Sequence, residues 1–134
     1  MPHILLVEDD RWLAELYAAV LREQSSYEVS VAYSASDGLT KLSVKEKVDL
    51  IILDMLLPDH NGIEFLHEAA SYEDLNATPI IVLSSVYEHD FHMHPRRWEQ
   101  YGVIDYLYKP TTKPAALLAR VKKHFAQTKS KAQL

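Results

Sequence analysis

Cysteine is absent from this chain, which excludes a disulfide framework, a thiolate nucleophile and a cysteine zinc site. Glycine is nearly as scarce. Gly38, Gly62 and Gly102 lie too far apart to assemble a Walker-type loop or a G-x-G-x-x-G turn, so glycine-rich nucleotide binding is excluded. No apolar run reaches the length of a membrane span, and "MPHILLVEDD" meets acids too soon for a secretory signal. Positive charge is in deficit as well: 14 Lys and Arg against 19 Asp and Glu give a net charge of −5. Such a surface is a poor bulk binder of nucleic acid. These absences suit a cytoplasmic domain that engages neither nucleic acid nor membrane directly.

What is present suits one domain with a substantial core: 134 residues, 48% hydrophobic and 25% charged. Five short apolar runs read as strands: "HILLV" (3–7), "EVSVA" (28–32), "VDLIIL" (48–53), "PIIVLS" (79–84) and "IDYLY" (104–108). The third and fourth are almost continuously apolar, as strands covered on both faces should be. The second alternates with polar residues, as expected nearer an edge. Helical stretches separate the runs. Residues 10–24 carry Leu13, Leu16, Tyr17, Val20 and Leu21 at helical spacing, and residues 36–45 carry Leu39 and Leu42. Gly62 to Ala70 gives a third helix. Thr112 to about Ala126 gives the last, with Leu117, Leu118, Val121 and Phe125 inward. Thr111 or Thr112 is a candidate cap for it, and Pro114 suits its first turn.

"VYEHDFHMHPRRWEQY" (86–101) holds the place of a fourth helix, but Pro95 divides it and its periodicity is poor, so an irregular helix is expected. The small, polar residues 127–134 read as a tail or the start of a linker beyond a domain of residues 1–126.

Strands alternating with helices imply right-handed crossovers and a doubly wound parallel sheet, whose sites lie at the carboxyl ends of the strands. Those ends carry Glu8, Asp9 and Asp10; then Asp54; then Ser84 and Ser85; then Lys109. Clustered carboxylates repel unless a cation relieves them, and an all-oxygen donor set suits Mg²⁺. A carboxylate beside a metal can attack phosphorus and become an aspartyl phosphate, with a hydroxyl and an ammonium holding the transferred group.

In this order, "ILLVEDD", "LIILDMLLPDHNG", "IIVLSS" and "DYLYKP" resemble the response-regulator receiver domains of bacterial two-component signalling, over about residues 3 to 126. The resemblance implies a flavodoxin-like five-stranded sheet in the order 2-1-3-4-5, with helices on both faces. It implies that Asp54 accepts a phosphoryl group from a sensor histidine kinase or a phosphotransfer protein. Mg²⁺ would be held by Glu8, Asp9, Asp54 and the backbone carbonyl of Leu56. Ser84 and Lys109 would meet the phosphoryl group, and Ser84 and Tyr106 would form the switch. The family's Lys-Pro bond is usually cis, which makes Lys109–Pro110 a candidate. Such a domain catalyses only its own phosphotransfer and autodephosphorylation. It allows a homodimer through the face of the fourth helix, fifth strand and fifth helix, and a downstream output domain or protein. Between Ser84 and Lys109 the chain is about three residues longer than a typical receiver, "YGVIDYL" replaces a small-residue pattern, and Ser85 stands where Ala or Gly is common.

Plainer readings compete at several positions. Asp10 is assigned to the cap of the first helix. Asp54 as a simple turn acid is disfavoured because Pro58 and Gly62 complete the expected loop. Tyr106 could be mere strand packing. His89, His92 and His94 read as solvated loop residues rather than metal ligands, and Arg96, Arg97 and Trp98 as a loop with one packed tryptophan. Two other functions stand beside the switch: a phosphatase or phosphotransferase working through an aspartyl phosphate, and a receiver-like interaction module that is not phosphorylated. The first is weakened by Leu56, where haloacid-dehalogenase-type enzymes place a second acid.

Overall fold

A computed structural model describes residues 1–24, 26–43, 47–59, 61–71 and 78–132. Five strands, β1 (His3–Val7), β2 (Glu28–Ala32), β3 (Leu50–Leu53), β4 (Ile80–Ser84) and β5 (Val103–Tyr108), form one parallel sheet in the order β2-β1-β3-β4-β5. The intervening helices are α1 (Arg11–Arg22), α2 (Ala35–Ser43), α3 (Gly62–Ser71), α4 (Pro95–Gln100) and α5 (Pro114–Ala132). The order reverses between β1 and β3, so their carboxyl ends flank the crevice that this topology reserves for a site.

The alternation of side chains along the strands builds two cores. Leu5, Val7, Ile51, Leu53, Ile80 and Val82 face α2, α3 and α4, with Phe65, Leu66 and Trp98. Ile4, Leu6, Leu50, Ile52, Ile81 and Leu83 face α1 and α5, with Tyr17, Leu21, Leu117 and Val121. The central strands are buried throughout, whereas the edge strand β2 is only partly so. On α1 the stripe is slightly rotated from the expected one: Ala14, Tyr17, Ala18 and Leu21 are inward, while Leu16 is exposed. Small alanines let the helix sit close to the sheet and push the larger leucine out of the stripe.

Three further expectations are corrected. Lys109–Pro110 is trans; the pair lies in a short 3₁₀ turn, Lys109–Thr111, closed by the Thr112 N–H donating to Lys109 O. Neither Thr111 nor Thr112 caps α5, because both hydroxyls donate back to Tyr108 O. The helix also runs on beyond Ala126 to Ala132, so most of the expected tail is helical. Ala, Gln and Lys are good helix formers, and polarity alone does not end a helix.

The irregular fourth helix is confirmed and resolved into parts. A 3₁₀ turn (Glu88–Phe91) precedes His92, whose φ is 50°, and α4 then starts at Pro95. Pro95 begins the helix rather than dividing it, since a proline at the first position loses no helical hydrogen bond. Trp98 anchors this short helix and is only 4% exposed.

On β5, a register shift pairs Ile80 with Val103 but Ile81 with Asp105. The extra residue, Ile104, turns outward, and Val103 and Tyr106 pack on the same core although they are three apart.

Gly62 marks where the β3–α3 connection is tightest. A Cβ there would lie 2.7 Å from Met55 Cα, which is backbone and cannot swing aside. Gly62→Ala is therefore expected to cost about 2–3 kcal/mol, by analogy with overpacked cores, and to displace the residue following Asp54. Urea denaturation checks this; an unchanged midpoint would count against so close an approach.

Candidate functional site

The sheet ladder extends one residue past β1 and β3. The Glu8 N–H donates to Ala32 O, and the Asp54 N–H to Val7 O, both at 3.0 Å. With Val7 opposite Leu53 in register, the next residues of both chains emerge side by side. Glu8 is 2% exposed and Asp54 5%, while Asp9 is exposed. One oxygen from each of Glu8, Asp9 and Asp54 lies within 4.8 Å of the others. Among the described residues this is the only such group of acids and histidines. An oxygen-only donor set of three carboxylates fits Mg²⁺ and disfavours softer metals.

Lys109 closes the cluster from β5. Its Nζ donates to Asp54 Oδ2 at 3.1 Å and to Glu8 Oε1. Two buried carboxylates thus share one ammonium. Burial, reinforced by the nearby Asp54 charge and only partly offset by Lys109, pushes Glu8 up to about 7. For Lys109, burial alone favours the neutral amine, but the Glu8 hydrogen bond and the two carboxylate charges win, and its pKa rises.

Asp10 takes the structural role expected of it. Its Oδ1 accepts from the Leu13 N–H at 3.1 Å at the start of α1. Asp10→Ala is expected to cost about 1 kcal/mol of stability and to leave Mg²⁺ affinity unchanged. A calorimetric loss as large as that of Asp9→Ala would overturn this division of the three acids.

Ser84 is fully buried at the end of β4, opposite Tyr108 in register and so beside Lys109. Its Oγ accepts from the Val86 N–H at 3.2 Å. The carbonyl of the same residue accepts from the Tyr106 hydroxyl. Val86 is therefore held from both sides by the two expected switch residues, a link with no sequence signal. The Tyr106 ring packs against Trp98 (centroids 5.5 Å apart) and Phe91 (6.4 Å), and burial pushes its phenol up to about 12.

Leu56 donates its N–H to Asp54 Oδ1 at 3.1 Å, and its side chain is half exposed. The histidines of the β4–α4 segment form no ligand cluster. His94 Nδ1 accepts from the Arg96 N–H to cap α4, and His89 faces Asp90. Asp59 is the functional candidate that the sequence hid, since nothing but its place after Pro58 sets it apart. It accepts the Ala35 and Ser36 N–H groups at 3.0 and 2.9 Å.

A family model described as the response regulator receiver domain matches residues 4–122. The chain belongs to this receiver family. The receiver is 34% identical over 125 residues to the response regulator ArlR of Staphylococcus aureus, covering 91% of this chain and 52% of ArlR. It spans about half the length of the curated relatives it matches. A CheY-like receiver domain protein from Methanospirillum hungatei superposes with a TM-score of 0.81 at 26% identity, covering 98% of each chain. The response regulator TrrA of Thermotoga maritima, solved with Mg²⁺ and beryllium fluoride, gives 0.72 at 26% identity, covering 92% of this receiver and 98% of TrrA. The flavodoxin-like fold and the 2-1-3-4-5 order are thereby those of the receiver family, as the motifs implied. Its role is that of a phosphorylation-activated signalling switch. No helix among the described residues is long and apolar enough to cross a membrane.

Proposed function

We propose that Asp54 is the phosphoacceptor of this receiver and that a sensor histidine kinase or phosphotransfer protein is its donor. The observation that carries this is the convergence of Glu8, Asp9, Asp54 and Lys109 at one strand rim, with Asp54 bonded to Lys109. An Asp54 oxygen forms its bond to phosphorus as the phosphorus–nitrogen bond of the donor histidine breaks. Glu8, Asp9, Asp54 and the Leu56 carbonyl would hold Mg²⁺, which when bound offsets charge on the phosphoryl oxygens. Lys109 moves from its carboxylate partners toward the new phosphoryl group, and the Ser84 hydroxyl donates to it. The modification adds about −1.5 to −2 charges at this rim.

The switch follows from the hold on Val86. Once Ser84 turns to the phosphoryl group, the Val86 N–H is released, and Tyr106 loses the fixed carbonyl to which it donates. Tyr106, Trp98 and α4 then repack, shifting the population between two arrangements of the face formed by α4, β5 and α5. That face would serve a homodimer, an output domain or a separate output protein. The domain would work in the cytoplasm and have no catalysis beyond its own phosphotransfer and autodephosphorylation.

The test is incubation with acetyl phosphate and Mg²⁺ followed by intact mass. A single phosphoryl adduct that fails to form when Mg²⁺ is chelated beforehand is expected. No adduct on the wild-type chain, or one indifferent to chelation, would sink the proposal.

A further inference from the structure

We infer that Asp59 is a positioning residue that clamps the two halves of the metal site together, an inference that rests on the phosphoacceptor reading above. The two halves come from distant parts of the chain. Glu8 and Asp9 follow β1, while Asp54 and Leu56 follow β3. The β3–α3 connection is closed at its base by the Gly62 N–H donating to Met55 O at 2.9 Å and by a bridge between Leu56 and Asn61. Asp59 stands at the far end of that closed loop, directly after Pro58, whose ring fixes the local backbone.

From there its carboxylate crosses to the first turn of α2. Oδ1 accepts from the Ala35 N–H at 3.0 Å and Oδ2 from the Ser36 N–H at 2.9 Å. The next amide, of Asp37, is taken by Ser34 Oγ at 3.1 Å. A helix leaves its first amides without partners. Here the helix's own cap satisfies one, and a residue from another loop satisfies the two before it. Both of those bonds are charge-assisted, and the carboxylate also meets the positive end of the helix dipole. The Ser36 and Ala35 amides hold the Asp59 carboxyl well below the usual carboxylate range.

α2 is in turn set tightly against the end of β1. A Cβ on Gly38 would lie 3.1 Å from Val7 Cγ2 and 3.1 Å from Phe65 Cε2, so helix and strand touch through that glycine. Val7 immediately precedes Glu8. The path from the β3–α3 loop through Asp59, α2 and Gly38 therefore ends one residue before the β1 acids. Asp59 acts by fixing where the loop with Leu56 lies relative to the strand with Glu8 and Asp9. The same carboxylate could have been a solvated loop charge. Bonding two adjacent amides of a different element is what gives it this function.

The test compares Asp59→Ala, Asp59→Asn and Ser34→Ala in the full chain by two readouts. One is Mg²⁺ affinity by calorimetry. The other is the rate of adduct formation from acetyl phosphate as a function of Mg²⁺ concentration. Losses on the order of tenfold follow when residues that support metal ligands are removed, and that is the expected fall in Mg²⁺ affinity for Asp59→Ala. Its rate at saturating Mg²⁺ should stay near that of wild type, because the reacting groups are intact. Asp59→Asn keeps one acceptor oxygen and should lose less. Ser34→Ala weakens α2 without freeing the loop, so its affinity should be unchanged. A larger loss in Asp59→Asn than in Asp59→Ala would overturn the clamp. So would a loss in Ser34→Ala matching that of Asp59→Ala, or wild-type affinity in Asp59→Ala. A wild-type chain that neither binds Mg²⁺ nor forms an adduct would overturn the phosphoacceptor reading and this inference together.

Discussion

Asp54→Ala is expected to abolish the phosphoryl adduct while leaving the midpoint of urea denaturation close to that of wild type. The two effects separate because of how charge is shared in the cluster. Two carboxylates, each almost wholly buried, compete for one ammonium. Removing Asp54 leaves Glu8 and Lys109 as a matched pair. The lost Lys109–Asp54 bond is offset by relief of the repulsion that helps to hold Glu8 up to about 7. Intact mass and urea denaturation together decide the point. An adduct that survives the substitution would remove Asp54 from its role. A variant that fails to fold would show that the acid is needed for stability after all.

Lys109→Ala should show the reverse balance, a large loss of stability in Mg²⁺-free buffer. Breaking a buried ion pair from one side costs about 3–5 kcal/mol, and about 3 is expected here because Lys109 retains some exposure. Two buried carboxylates would then have no counter-charge from the protein. Added Mg²⁺ should restore much of the loss, by binding the folded state alone. pH gives a second check. Glu8 already has its folded pKa raised above its unfolded value, so it binds more protons folded than unfolded between the two. Its contribution is full below the unfolded value and lost as pH rises through about 7. Removing Lys109 raises the folded value further, so the variant's deficit should shrink on acidification. A deficit independent of both Mg²⁺ and pH would mean that Lys109 acts through its packing alone.

These effects could not all be read from the sequence. The sheet was legible because four of its runs are nearly continuously apolar or alternate cleanly, and alternating elements leave few topologies. That Glu8, Asp9, Asp54, Ser84 and Lys109 lie together at one rim was legible because strand-end position is itself a signal in such sheets. Their pairing was not: that Lys109 bonds both Glu8 and Asp54 depends on three-dimensional distance. The register shift at Ile104 escaped detection because a single extra residue leaves an apolar run looking unbroken. The full length of α5 is not legible because its last turns have polar composition but helical propensity. Asp59 carries no sequence signal for a similar reason. Its partners are backbone amides, and any sequence has those everywhere.

The two tryptophans end up in opposite surroundings. Trp98 is 4% exposed against Tyr106, while Trp12 is 73% exposed in the first turn of α1, two residues past Asp10. An indole enclosed by aromatic rings emits at shorter wavelength than one in water, so the chain carries two spectrally distinct lamps. Trp12 lies three residues past Asp9 in the sequence, and Trp98 packs against Tyr106 in the face that would move. Motion of the switch is therefore expected to register as a change in the shorter-wavelength emission of Trp98, without a label.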